Sequence, residues 1–564
     1  MTAPSLPLLP ARRRLVSART PARLRGRRAE DGYVAVLVGL LTLTLVALSA
    51  FAVDVGHWYL VGQQAQRAAD AAALAGVTDL PGDQTSAFAL AQSYSKMNGF
   101  QNGVSSTTVT PTLDGGPTRL RVTVGRTVNN IFGPLLGIAS TTVSRTAVAD
   151  YTGPVPMGSP CNEFGNDPDS TSSTRGTACS GVTGQMWANV NGYSADKQNG
   201  DSIQSHDCNT SVAGKDGCSG STNTDFNPNG YFYIISVKQP MASLTVQLFD
   251  PVFVDVGLTC GNSIFTGSTT AVNDYVNAAD AAHRYVSGNT TTDGAKYCTG
   301  DNLYSGTQVM NTTFTLRSPS QTSWDPLSYP VVYSKTYPGW TASGSTLFKI
   351  LNKATVATYR DDIAQSFRRW STFYTITNPQ VGDYLLQVSS NVGGVYNNAD
   401  AGNRFAIRAT ASNLDAVSIA ARQTMGIFSN QPGATTQFYL ARVPSGSAGG
   451  TLNVTLYDVG DSSQSGTITI VPPSGGSFSG CTGSGVTTSI SAGCAFTVTA
   501  GSPSAFNGRY EVVKVPIPLG YSCNDNDSAA CWVKLTYTYG SGSAPTDVTT
   551  WSAKLEGDPI RLVE

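Results

Sequence analysis

Residues 28–77 read RAEDGYVAVLVGLLTLTLVALSAFAVDVGHWYLVGQQAQRAADAAALAGV, and the reading of this stretch decides the fold. Tyr33 to Val53 carries no charged residue. At ~1.5 Å rise per residue, roughly twenty such residues cross the ~30 Å hydrocarbon core of a bilayer. Ahead of the run stand Arg12, Arg13, Arg14, Arg19, Arg23, Arg25, Arg27 and Arg28. The positive-inside rule holds such a cluster in the cytoplasm, so everything after Asp54 is expected outside. Trp58 and Tyr59 fall where an aromatic belt meets the outer headgroups. Gln63 to Gly76 is alanine-rich with few breakers, so the helix is expected to continue out of the membrane. A cleaved secretory signal is the competing reading, because Ala50 and Ala52 are small residues at a possible cleavage point. The apolar run exceeds the roughly 7–15 residues of a signal core, and a retained anchor is preferred. Either reading exports the bulk of the chain.

Three blocks within the stretch carry a family likeness. They are Gly32-Tyr33-Val34-Ala35-Val36, then Ala52-Val53-Asp54-Val55-Gly56, then Tyr59 with Gln64 and the run Ala68-Ala69-Asp70-Ala71-Ala72-Ala73-Leu74-Ala75-Gly76. Together they resemble the N-terminal module of TadG-like proteins from the Flp (tight-adherence) pilus-assembly systems. The resemblance implies a single-pass, pilin-like anchor whose partners are other pilin-like or pilus-assembly subunits. Pilin-type processing at Gly32 is expected to need Glu five residues on, where this chain has Leu37. TadG-like proteins often carry a von Willebrand A domain with a DxSxS metal motif, and Asp461-Ser462-Ser463-Gln464-Ser465 is a literal match. That site needs an apolar strand running into the Asp and a helix after the serines. Val459-Gly460 and Thr467-Ile468-Thr469-Ile470 make it a hairpin loop instead, and no such domain is recognised. Lateral association is expected to use Ala68, Ala72 and Ala75 beyond the membrane, and Gly39, Ala47 and Ala50 within it. Small residues one turn apart let helix backbones approach.

With 564 residues, the chain is long enough for three or four domains. Only 13% of residues are charged and the net charge is −1, which argues against nucleic acid as a partner. All ten cysteines follow the apolar run: Cys161, Cys179, Cys208, Cys218, Cys260, Cys298, Cys481, Cys494, Cys523 and Cys531. An even number confined to an exported region reads as disulfides. Near neighbours such as Cys208–Cys218, Cys260–Cys298, Cys481–Cys494 and Cys523–Cys531 are plausible pairs, although sequence alone does not fix connectivity.

The expected fold is mainly β: a transmembrane helix and a pilin-like α+β stem, followed by two or three disulfide-bonded, jelly-roll-like β-sandwiches. The expected divisions are a cytoplasmic arm at 1–31, the transmembrane helix at 32–53 and a stem at 54–150, broken at Pro81-Gly82. A hairpin turn is expected at Asp114-Gly115-Gly116. Sandwich material is then expected at 151–330, 331–425 and 426–564, with Trp551 to Glu564 closing the last sandwich. An internal repeat supports the sandwiches. Phe232-Tyr233-Ile234 with LTVQLFD ending at Asp250 matches Phe438-Tyr439-Leu440 with LNVTLYD ending at Asp458. Alternation with period two buries Leu, Val and Leu on one face.

Little in the sequence points to catalysis. His57, His206 and His283 lack ligand-spaced partners, and no nucleophile elbow, phosphate-binding loop or dinucleotide fingerprint is present. Asp525 and Asp527 offer hard oxygens for Ca²⁺ beside Cys523 and Cys531, but Asn and Asp equally make turns, and the turn reading is preferred. Trp340, Trp370, Trp532 and Trp551 are a sugar-stacking platform or, as preferred, sandwich core. No cofactor is expected. The expected function is a non-enzymatic, membrane-anchored surface protein of Flp/Tad pilus assembly and adherence, in the cell membrane with the bulk of the chain extracytoplasmic. The alternatives are a secreted or anchored binder of surface glycans and, less favoured, a surface hydrolase.

Overall fold

The apolar run and the alanine-rich stretch form one continuous helix, α1 (Glu30–Gly76). The computed structural model describes residues 30–80, 84–114, 119–151, 154–171, 173–179, 186–212, 216–261, 284, 297–320, 325–341, 346–390, 398–430, 435–485, 489–500, 505–525, 527, 529–540, 542–543, 545–556 and 560–563. Most of the arginine arm, the break at Pro81-Gly82, the Gly115-Gly116 turn and His283 lie outside the described residues. No part of the most apolar window of α1 is buried by the other described residues. Farther along, Ala65, Ala68, Ala69, Ala72 and Ala73 are fully buried. They pack on α2 (Gln84–Met97) and on a sheet of β1 (Thr107–Leu113), β2 (Arg119–Asn129) and β3 (Ser140–Tyr151). Gly76 marks the closest approach. A Cβ there would meet Leu120 Cδ2 at 2.5 Å and the Ala87 carbonyl at 2.7 Å.

This packing corrects one expectation. Ala68 and Ala72 do not form a lateral face; α2 and the stem's own sheet cover them completely. Small side chains permit a close backbone approach to either a helix or a sheet. Here α2 and the sheet of the same chain occupy that face.

Two sandwiches follow, sharing one long sheet. In chain order the strands are β4 (Trp187–Asn191), β5 (Tyr231–Val237), β6 (Ser243–Phe249), β7 (Thr312–Arg317), β8 (Val331–Tyr337), β9 (Trp370–Thr377), β10 (Gly382–Ser389), β11 (Asp400–Ala411), β12 (Val417–Arg422) and β13 (Thr424–Ser429). Then come β14 (Thr435–Arg442), β15 (Thr451–Tyr457), β16 (Gly466–Val471), β17 (Ala495–Val498), β18 (Tyr510–Pro516), β19 (Trp532–Thr538), β20 (Asp547–Glu556) and β21 (Ile560–Leu562). The long sheet runs β9-β6-β11-β4-β13-β20-β15-β18. One half faces β8-β7-β10-β5-β12 and the other faces β17-β16-β19-β14. Aromatic edges close both interfaces, with Phe314 on Phe405 at 5.1 Å in the first and Phe438 on Trp551 at 5.3 Å in the second.

The internal repeat is therefore a duplicated sandwich. The trio β9-β6-β11 corresponds to β18-β15-β20, and β8-β7-β10-β5 to β17-β16-β19-β14. The shared sheet also shows where the expected divisions fall. The boundary at 330/331 passes between β7 and β8, which pair with each other, and the one at 425/426 passes through β13. Neighbours in a sandwich sheet come from distant parts of the chain, so composition shifts do not mark its edges. The C-terminal stretch divides as well. β20 joins the long sheet, but β21 returns to the stem and pairs with β3, Ile560 opposite Tyr151. The sandwiches are thus inserted between two adjacent strands of the stem sheet.

All ten cysteines pair: Cys161–Cys179, Cys208–Cys218, Cys260–Cys298, Cys481–Cys494 and Cys523–Cys531. Every bridge lies after the stem.

Candidate functional site

The densest polar construction near the apolar helix lies where it leaves the uncharged run. Asp54, the first charged residue after that run, is only 3% exposed. Its carboxylate accepts hydrogen bonds from three successive backbone N–H groups of the β2–β3 loop: Ile131 at 2.7 Å, Phe132 at 3.1 Å and Gly133 at 2.8 Å. One turn on, the Trp58 indole N–H donates to Asn130 Oδ1 at 2.8 Å. Trp58 also packs with Val61, Val128 and Val143. Asn130 braces the loop by donating from Nδ2 to the Ile138 carbonyl at 2.9 Å. Gly133 has no room for a side chain, with the Ile138 carbonyl 2.4 Å from a notional Cβ, and Gly137 takes a φ of +79° that glycine adopts without strain. The loop is held by side chains from both of its ends and from the helix.

The sequence reading gave Asp54 a place in a family block but no structural task, and it assigned nothing to residues 131–138. The available signal was Ile131-Phe132-Gly133-Pro134-Leu135-Leu136-Gly137-Ile138, an apolar, charge-free run with turn residues between two strands. Its partner lies 77 residues earlier, a separation that local periodicity does not reveal.

The other candidate residues sit elsewhere. Asp525 accepts from the Ser445 backbone N–H at 3.0 Å and from the Ser445 hydroxyl, and Asp527 accepts from the Ala529 N–H at 2.9 Å. The sulfurs beside Asp525, those of Cys523 and Cys531, are joined in a disulfide rather than free as thiolates. Asp527 thus holds a local turn, whereas Asp525 ties its loop to Ser445, 80 residues earlier. The Asp461–Ser465 motif lies between β15 and β16, where the Asp461 N–H donates to Asp547 and the Ser462 hydroxyl meets that of Ser543. His57 lies half-buried beside the apolar segment, and His206 stacks on Tyr193 at 4.3 Å with Nδ1 2.8 Å from Asp207 Oδ1. Trp532 and Trp551 are buried core, and Trp340 and Trp370 are half-buried. Gly32 and Ala52 both lie within unbroken α1.

Buried charge concentrates at equivalent corners of the two sandwiches. Asp250 and Asp458 each end a repeat strand with a left-handed φ, of 50° and 61°. Each accepts a backbone N–H two residues ahead of the neighbouring strand, from Arg368 at 3.0 Å and from Gly508 at 2.7 Å. The surroundings differ. Burial pushes Asp250 up to about 7 against the opposing pull of that N–H, the Thr299 hydroxyl and the Arg368 and Arg284 guanidiniums. Asp458 is raised by burial and by the nearby carboxylates of Asp461 and Asp547. Burial and Asp547 push Asp461 up to about 8, and burial pushes Asp547 up to about 6. Glu163 also rises to about 8, from burial and the adjacent Asp167, but it is only 4% exposed. A general acid must touch its substrate, and such burial denies Glu163 that contact.

Residues 32–79, from the start of the apolar run to the short 3-10 turn that follows α1, match the family model described as putative Flp pilus-assembly TadE/G-like. No curated protein matches the chain. The match spans the apolar helix, Asp54 and the alanine face that packs on the stem, so this N-terminal segment is similar to the TadE/G-like module of Flp pilus-assembly proteins.

Proposed function

We propose that the protein is a single-pass, N-in membrane protein that displays two disulfide-bonded sandwiches outside the membrane. It acts without catalysis, as a component or accessory of Flp/Tad pilus assembly and surface adherence. The observation that carries this reading is the coincidence of the TadE/G-like match with a helix whose most apolar window is wholly uncovered. An uncovered apolar window of this length fits lipid or another helix better than water. The arginine cluster ahead of it supports the orientation. With Ala68 and Ala72 occupied by the stem, partner contact falls to Gly39, Ala47 and Ala50, and nothing among the described residues lies within 4 Å of a side chain added at Gly39.

A photo-crosslinking residue placed in turn at Gly39, Ala47 and Ala50 of the full chain tests this in cells that assemble the pilus. The expected result is a crosslink to a pilin-like or assembly subunit from at least one of these positions. Crosslinks to lipid alone from all three would remove the assembly role.

A further inference from the structure

We infer that the β2–β3 loop, Ile131 to Ile138, is a second membrane contact that seats in the outer lipid leaflet beside the helix. The inference rests on the anchor reading above and adds to it. Leu135 is 83% exposed, Ile131 59%, Ile138 54% and Phe132 37%. No charged residue occurs between Arg126 and Arg145. Side chains this large are ordinarily scattered singly on a protein surface; a continuous group marks an interaction site.

Two observations select lipid as the occupant. The first is level. Asp54 closes the uncharged run that starts at Tyr33, and a helix rising ~1.5 Å per residue reaches the edge of a ~30 Å core there. The loop is tied to Asp54 itself, so its apolar side chains stand at that edge. The second is continuity. Exposed Phe51, Val53 and Val55 on the helix and exposed Ile131, Phe132 and Leu135 on the loop flank the same Asp54 contact. The apolar surface of the span thus broadens into a collar where the stem begins. Asp54 would be costly to leave bare at this depth, and its three N–H partners satisfy it while they aim the loop.

The loop's rigidity matters to the consequence. A helix alone leaves the stem free to swivel about one axis. A second, braced contact fixes which face of the stem lies toward the membrane and therefore the direction in which the sandwiches project.

The test uses the full chain in phosphatidylethanolamine–phosphatidylglycerol vesicles, with single Leu135→Cys, Ile138→Cys, Val46→Cys or Leu519→Cys variants carrying an environment-sensitive fluorophore. Leu135 and Ile138 are exposed, so substitution leaves the stem's own packing intact, and unchanged stem melting checks this. Val46 reports the helix, and Leu519, 90% exposed in the second sandwich, is the aqueous control. The expected result is blue-shifted emission at 135 and 138 and loss of about half the intensity to nitroxides high on the acyl chains, with no change at 519. A water-like probe at 135 and 138 with a quenched probe at 46 overturns the loop contact and leaves the anchor standing. A water-like probe at 46 overturns the anchor itself. Shielding at 135 that appears only at high protein-to-lipid ratio would mean that a second copy covers the loop, and it too overturns the lipid contact.

Discussion

At the residue scale, two carboxylates do opposite things. Asp54 is buried among hydrogen-bond donors, and the loop depends on it. Asp54→Ala strips three backbone N–H groups of their acceptor, and hydrogen bonds to a charged group contribute ~1.5–3 kcal/mol each. The expected outcome is a stem destabilised by about 3 kcal/mol and faster amide exchange at Ile131, Phe132 and Gly133, read by hydrogen exchange and thermal melting. Asp461 is half-buried beside other carboxylates instead. Its folded value of about 8, like the value of about 6 for Asp547, lies above the ordinary carboxylate range. The folded state therefore binds more protons than the unfolded state across that window, and stability falls as pH rises. It is full below about pH 4 and declines toward pH 8, at up to ~1.4 kcal/mol per pH unit for each group. Sandwich melting should drop between pH 5 and pH 8, and Asp461→Asn should flatten the upper part of that curve. A variant with an unchanged pH profile would contradict the buried-carboxylate account.

At the scale of elements, the sequence was most informative where burial follows a simple period. The LTVQLFD and LNVTLYD strands alternate as read, and the same repeat registers as equivalent strands in a duplicated sandwich. The apolar helix was legible for a different reason, an unbroken uncharged run from Tyr33 to Val53. The Ala68–Ala72 face was misread because a small-residue stripe records close approach without naming the approaching element. Ala72→Leu distinguishes the two partners. In the observed packing it overfills the helix–sheet interface and costs ~1–3 kcal/mol of stem stability, while crosslinking from Gly39 stays as in the parent. Loss of that crosslink with a normally stable stem would restore the lateral-face reading. The Asp54–loop contact and the return of β21 were not legible, since each joins segments far apart in sequence through backbone groups that every residue carries.

At the scale of the whole molecule, the chain is a stem with a large insertion. β21 pairs beside β3 and the Val563 N–H donates to the Val148 carbonyl at 2.8 Å, so both ends of the sandwich region are fixed to one sheet edge. The two sandwiches are also cross-tied. Lys197, fully buried, donates to Asp225 at 2.6 Å and sits 4.8 Å over the rings of both Tyr457 and Tyr510. The bridges are confined to the sandwiches, and each disulfide typically contributes ~2–4 kcal/mol. Reduction should therefore lower the sandwich transition in calorimetry and leave the stem transition in place. A joint shift of both would mean that the insertion and the stem unfold as one unit.

The central claim is that the helix stays in the membrane with the arginine cluster inside and the sandwiches outside. It is tested most directly by shaving spheroplasts that carry the full chain with protease and sequencing the N-terminus of the fragment left in the membrane. The account predicts a membrane-bound fragment that still begins ahead of Arg12, with the sandwiches released. Sandwich-containing material in the medium that begins at Val53 would contradict it and identify the apolar run as a cleaved signal.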